Sequence, residues 1–188
     1  MAEPQQPPHC IIPIHKPDWK EYAFFFASGI LVSIPFTLFF AQTYSFFPAI
    51  LTVVVFAPFV EELAKVLPLF YRHGETERSL TVLAILIGLG FGIAEFVLYV
   101  AFLNVPPLAR VPGVIFHASS AVIAAYGIAK KNPLPFYLIA VGLHMANNFV
   151  AVSESYLLSV SAGVLILVST YLLAWRYYHK ASPEVVVV

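Results

Sequence analysis

The chain has 188 residues, 60 % of them hydrophobic and 11 % charged, with a formal net charge of zero. Soluble domains carry about 25 % charged residues and nucleic-acid binders carry a basic surplus, so neither class fits. Apolar stretches long enough to cross a bilayer recur along nearly the whole sequence, and they predict an all-α, polytopic membrane bundle of about six transmembrane helices.

The first twenty residues hold five prolines and no continuous apolar core. They read as a poorly ordered cytosolic tail (1–20), with no cleavable signal peptide. Within it lies Cys10, the only cysteine, which excludes an intrachain disulfide and matches no metal-binding spacing. A single transmembrane domain follows over 21–178, then a C-terminal tail over 179–188. The expected spans are 22–41, 46–71, 80–103, 111–129, 134–152 and 156–175. Pro48, "RHGETERS", "NVPP", "KKNP" and "SES" punctuate them. Short connections make successive helices antiparallel neighbours.

Lysine and arginine set the orientation. Lys16, Lys20, Arg72, Arg78, Lys130, Lys131, Arg176 and Lys180 fall on one side, and Arg110 stands alone on the other. Both termini are therefore expected in the cytoplasm.

Four charged residues lie inside spans: Glu61, Glu62, Lys65 and Glu95. At roughly 2.5–3.5 kcal/mol each in mid-bilayer, together they cost on the order of 10 kcal/mol, so they must face the bundle interior and find partners. Glu61 and Lys65, four residues apart, share a helix face and can pair. Glu62 is rotated about 100° from Glu61, which predicts a division of labour: one carboxylate in a site, one in structure. Pro58 predicts a kink in span two. Ala84, Gly88 and Gly92 form a small-residue stripe for close helix packing, with Glu95 beyond it. His117 follows Arg110 by two turns in span four, and His144 and Asn148 are one turn apart in span five. Singly, each histidine or asparagine reads best as interhelical glue, and Arg110 as an interfacial anchor. Glu75 and Glu77 read as solvated loop charges. The set of three carboxylates, two imidazoles and a carboxamide, confined to spans two to five, predicts a shared cavity walled by spans one and six.

These residues carry a family resemblance. "EELAK" at 61–65 resembles the E-E-x-x-K motif of the PrsW family of intramembrane proteases. "FGIAE" at 91–95 is similar to its F-x-x-x-E motif. Arg110, His117 and Gly127 resemble its arginine–histidine–glycine segment, and "HMANN" its H-x-x-x-N element at His144 and Asn148. The resemblance implies membership of the superfamily of CAAX-processing and bacteriocin-processing enzymes. It departs from their E-E-x-x-x-R and F-x-x-x-H patterns at Lys65 and Glu95, which points to the PrsW branch and away from prenylated substrates. That branch is associated with first-site cleavage of membrane-anchored anti-sigma factors.

The implied activity is an intramembrane endopeptidase in the cell membrane, acting on a membrane-anchored protein. The chain offers no persuasive serine or cysteine nucleophile, so water is the expected attacker. Glu61 is the expected general base, with a water held by His117 or His144; the choice between Glu61 and Glu62 stays open. Asn148 and one histidine are the expected oxyanion donors. Glu62 orients the site or pairs with Lys65, and Glu95 holds the water or supplies a proton. No cofactor is favoured, since H-E-x-x-H is absent, but zinc on Glu61, Glu95, His117 and His144 is the open metal version. Two other classes compete: a small proton- or cation-coupled transporter, and a non-catalytic scaffold like the gamma-secretase subunit of the same superfamily.

Overall fold

The computed structural model describes residues 14–43, 46–72 and 74–187; Cys10 and most of the expected N-terminal tail lie outside them. Helix α1 (Trp19–Thr43) opens with a reciprocal cap. The Glu21 amide donates to Asp18 Oδ1 at 3.0 Å, and the Asp18 amide donates to Glu21 Oε2 at 3.0 Å. Four long apolar helices make up most of the rest: α4 (Glu77–Phe102), α5 (Pro107–Ala129), α6 (Pro133–Ala151) and α7 (Tyr156–Lys180). Each is long and apolar enough to cross a membrane. Thr76 caps α4 and Ser155 caps α7 through their side-chain oxygens, whereas α5 and α6 begin on prolines, where a missing N–H costs nothing.

The second passage departs from the uniform span expected over 46–71. It is assembled from a short α2 (Ala49–Leu51), a π-helical turn (Thr52–Phe56), α3 (Ala57–Val66) and a final 3₁₀ segment (Leu67–Tyr71). Proline explains the segmentation. Pro48 delays the start, Pro58 cannot donate to the turn before it, and Pro68 sits in the tightened end.

Together these elements form a membrane helical bundle in which α4 is the central post, with α1 and α5 packed along it. Glycine permits both contacts. At Gly88 an added Cβ would collide with the His117 carbonyl oxygen and lie 2.6 Å from Ala118 Cα; at Gly92 it would lie 2.7 Å from Val114 Cα. The small-residue stripe therefore sets how closely α5, and with it His117, approaches α4. Gly88→Ala is expected to destabilise the protein by at least the ~1–3 kcal/mol of ordinary overpacking, because the obstacle is backbone. A thermal melt in detergent checks this, and an unchanged midpoint would contradict it.

At the end of the bundle where His15 and Val187 both bond to Gly74, Glu75 and Glu77 are buried, at 1 % and 3 % exposure. The expectation of solvated loop charges is wrong because the segment after α7 folds back over them. The Glu77 amide donates to Val185 O at 2.9 Å, the Arg78 amide to Ser182 O at 2.9 Å, and the Val187 amide to Glu75 O at 2.8 Å. Lys130 Nζ pairs with Glu77 at 2.7 Å, and Arg72 lies between Glu75 and Glu21. A hydrogen bond from His15, helped by the Asp18 amide and by Arg72, outweighs desolvation and lowers the Glu21 carboxyl to about 2.

Candidate active site

Toward the other end of the bundle lies a cavity of about 300 Å³. Its polar lining is Glu61, Glu95, Arg110, His117, His144, Asn147 and Asn148, with Tyr99 beside them. The π turn, α3, α4, α5 and α6 supply this lining, and neither α1 nor α7 does. At 1.5 Å per residue, Glu95, His117 and His144 lie roughly 10–15 Å from the near ends of their helices. The site is therefore recessed into the bundle, and the residues expected to converge do so.

The neighbouring glutamates separate as helix rotation requires. Glu61 faces the cavity, whereas Glu62 is fully buried behind it. Lys65 does not take Glu61 as its partner. Its Nζ donates to Glu62 Oε1 at 2.6 Å, three residues back rather than four. The reason lies on α5, where Ser120 receives a second Lys65 hydrogen at 3.3 Å and donates to Glu62 Oε1 at 3.0 Å. The Phe91 ring, 4.9 Å from Nζ, covers the ammonium from α4. Sequence reasoning missed Ser120, although its place three residues after His117 put it on the adjoining turn of the same face.

Each histidine is held by a carboxylate. His144 Nδ1 lies 2.8 Å from Glu62 Oε1, and His117 Nε2 lies 2.8 Å from Glu95 Oε2. An ionised carboxylate only accepts, so those nitrogens donate and the opposite ones, Nε2 of His144 and Nδ1 of His117, keep their lone pairs. Arg110 is more than an anchor. Its Nη2 donates to Glu95 Oε2 at 3.2 Å, and its guanidinium stacks on the Tyr99 ring at 3.8 Å. The two imidazole rings meet edge to face at 5.2 Å.

Glu61 is where these free nitrogens lead. His144 Nε2 lies 3.7 Å from Glu61 Oε2. One donor atom each from Glu61, His117 and His144 fall within 4.8 Å of one another. Glu61 Oε2 and His117 Nδ1 are buried with no hydrogen-bond partner. Buried polar atoms are rarely left so, and two orphans beside a third free donor suit a divalent metal. Glu95, an expected ligand in the metal version, stands behind His117 instead and belongs to no such cluster among the described residues. Carboxylates behind ligating imidazoles are the usual outer support of metal sites.

Asn148 is placed differently from expectation. Its Nδ2 donates to the backbone oxygen of Val53 at 3.0 Å, and its Oδ1 faces Asn147 Nδ2 at 3.4 Å.

No curated protein and no solved structure matches the chain. A family model described as PrsW family intramembrane metalloprotease matches residues 17–175. That stretch contains every residue of the cavity and all four motifs, and the chain belongs to the PrsW family.

Proposed function

We propose that this protein hydrolyses a peptide bond of a membrane-anchored protein, using a water activated at a divalent-metal site built from Glu61, His117 and His144. The observation that carries the reading is the meeting of one donor atom each from Glu61, His117 and His144, two of these residues keeping a buried atom without a partner, with each imidazole held from behind by its own carboxylate. It moves the balance away from the metal-free glutamate mechanism expected from the sequence.

A zinc-type ion, when bound, lowers the pKa of a coordinated water and polarises the scissile carbonyl. The chain's own groups supply the rest. Glu61 accepts the proton of the attacking water at its carboxylate and returns it to the departing amine. Arg110, the one lysine or arginine lining the cavity, stabilises the negative oxygen of the tetrahedral intermediate. Glu62 and Glu95 act through His144 and His117 as positioning residues. Loss of such support typically lowers metal affinity or activity 10–100-fold.

The distribution of Lys and Arg supports cytoplasmic chain ends in a multi-pass cell-membrane protein, with the cavity opening on the far side. A carrier would need a route to either face. Here Glu62, Lys65 and Ser120 are fully buried behind the cavity lining and bonded to one another, which favours the hydrolase over the transporter.

The test is cleavage of a panel of single-span reporter proteins in lipid vesicles, before and after chelation verified by elemental analysis. Stripping should abolish cleavage and zinc should restore it. Cobalt(II) should give a visible d–d spectrum, whether or not a reporter is cut. Full activity in verified metal-free protein would eliminate the metal site, and no cleavage of any reporter despite cobalt binding would count against the peptidase.

A further inference from the structure

Asn148 and Pro58 lie 90 positions apart in sequence, yet the backbone joins them in one problem. In the π turn each carbonyl accepts from the amide five residues on, as Thr52 O does from Ala57 N. The next carbonyl in that register, Val53 O, would accept from residue 58. That residue is proline and has no N–H. Val53 lies half-buried at the cavity wall, and a carbonyl left unmet there forfeits a hydrogen bond of the turn. The hydrogen that reaches it comes from Asn148 Nδ2, on the neighbouring helix α6, at 3.0 Å.

We infer that Asn148 is a positioning residue: its carboxamide replaces the backbone donor that Pro58 lacks and so fixes α3 against α6. The placement gives this a direct bearing on the site. Glu61 follows Pro58 by three residues, and His144 precedes Asn148 by one helical turn. The Glu61 Oε2 to His144 Nε2 separation of 3.7 Å is thus set from both sides of the Val53–Asn148 bond. A second contact of the same kind lies further along the same interface. Tyr137, also on α6, donates its hydroxyl to Phe59 O at 2.7 Å. Two side chains of α6 therefore grip the backbone of the second passage on either side of Pro58. This differs from an oxyanion donor, which would need its hydrogen aimed at substrate.

The inference makes a prediction that an oxyanion role does not. Pro58→Ala returns an N–H to the chain. Whether the turn keeps its five-residue register or relaxes to the four-residue one, Val53 O then gains a backbone donor. Asn148→Ala alone should lower the thermal midpoint of the full chain in lipid nanodiscs by several degrees. It should also weaken cobalt(II) binding about tenfold or more, the usual scale for losing an outer support of a metal site. In the Pro58→Ala background the same Asn148→Ala change should have little effect on either quantity. Asn148→Leu, close in size but without any donor, should behave like Asn148→Ala.

Equal losses from Asn148→Ala in both backgrounds would overturn the inference, as would a wild-type midpoint in Asn148→Leu. If Asn148→Ala cannot be recovered folded, recovery of the double variant supports the inference, and failure of the double where Pro58→Ala folds overturns it. The midpoints need neither substrate nor metal. The inference rests on the peptidase reading only for the consequence for cleavage, so a protein that cuts no reporter but shows the coupled midpoints would sink that reading and leave this one standing.

Discussion

Glu61→Gln is expected to reduce peptide cleavage by about 10²–10⁴-fold and to remove cobalt(II) binding, while leaving the melting midpoint near that of wild type. The change keeps shape and volume. It removes the one carboxylate that faces the cavity with an unpartnered oxygen directed at the two free imidazole nitrogens. An amide nitrogen placed there can neither accept the water's proton nor serve as a ligand beside His117 and His144. Because Glu61 makes no ion pair with Lys65, the substitution leaves no charge stranded. Initial rates on a reporter, together with the cobalt spectrum of the same preparation, check both halves. Retained cleavage would remove Glu61 from the mechanism.

Lys65→Met is expected to act mainly on folding. Lys65 and Glu62 are both fully buried, and removing one partner of such a pair costs about 3–5 kcal/mol because the other charge is left uncompensated. Glu62 Oε1 would keep His144 and Ser120 as donors but lose its cation. Adding Glu62→Gln should recover much of the stability, since the stranded charge is then gone. It should not recover activity, because His144 Nδ1 would face a neutral amide in place of an anion. Melting of the two variants, followed by cleavage assays on the double variant, separates these effects. A single Lys65→Met variant as stable as wild type would show that the pair contributes nothing to the fold.

Much of this organisation was legible in the sequence, for a simple reason. Charges are so costly in hydrocarbon that Glu61, Glu62, Lys65 and Glu95 could only be interior, and their helical positions restricted which of them could meet. Four of the six expected spans followed from apolar length, and the glycine stripe announced a close helix contact, which α5 makes with α4. What the sequence hid was supplied from other helices. Lys65 had admissible partners three and four residues back, and Ser120 on α5 decided between them. The five-residue register of the π turn follows from Pro58 only when a capping donor such as Asn148 is known to be at hand. Glu75 and Glu77 sit in a stretch that reads as an exposed loop, and nothing nearby in sequence announces that residues 182–187 return to cover them. Arg110 looked like a surface anchor because its partner, Glu95, sits fifteen residues earlier on another helix.

The fully buried charge pair behind the cavity has a consequence for the host membrane. A bundle that admits water part-way through a bilayer risks short-circuiting the ion gradients on which a cell depends. Here Glu62, Lys65 and Ser120 are bonded to one another and fully buried behind the cavity. On the proposed mechanism, the buried charge pair behind His144 would stand between the water of the cavity and the opposite face of the membrane.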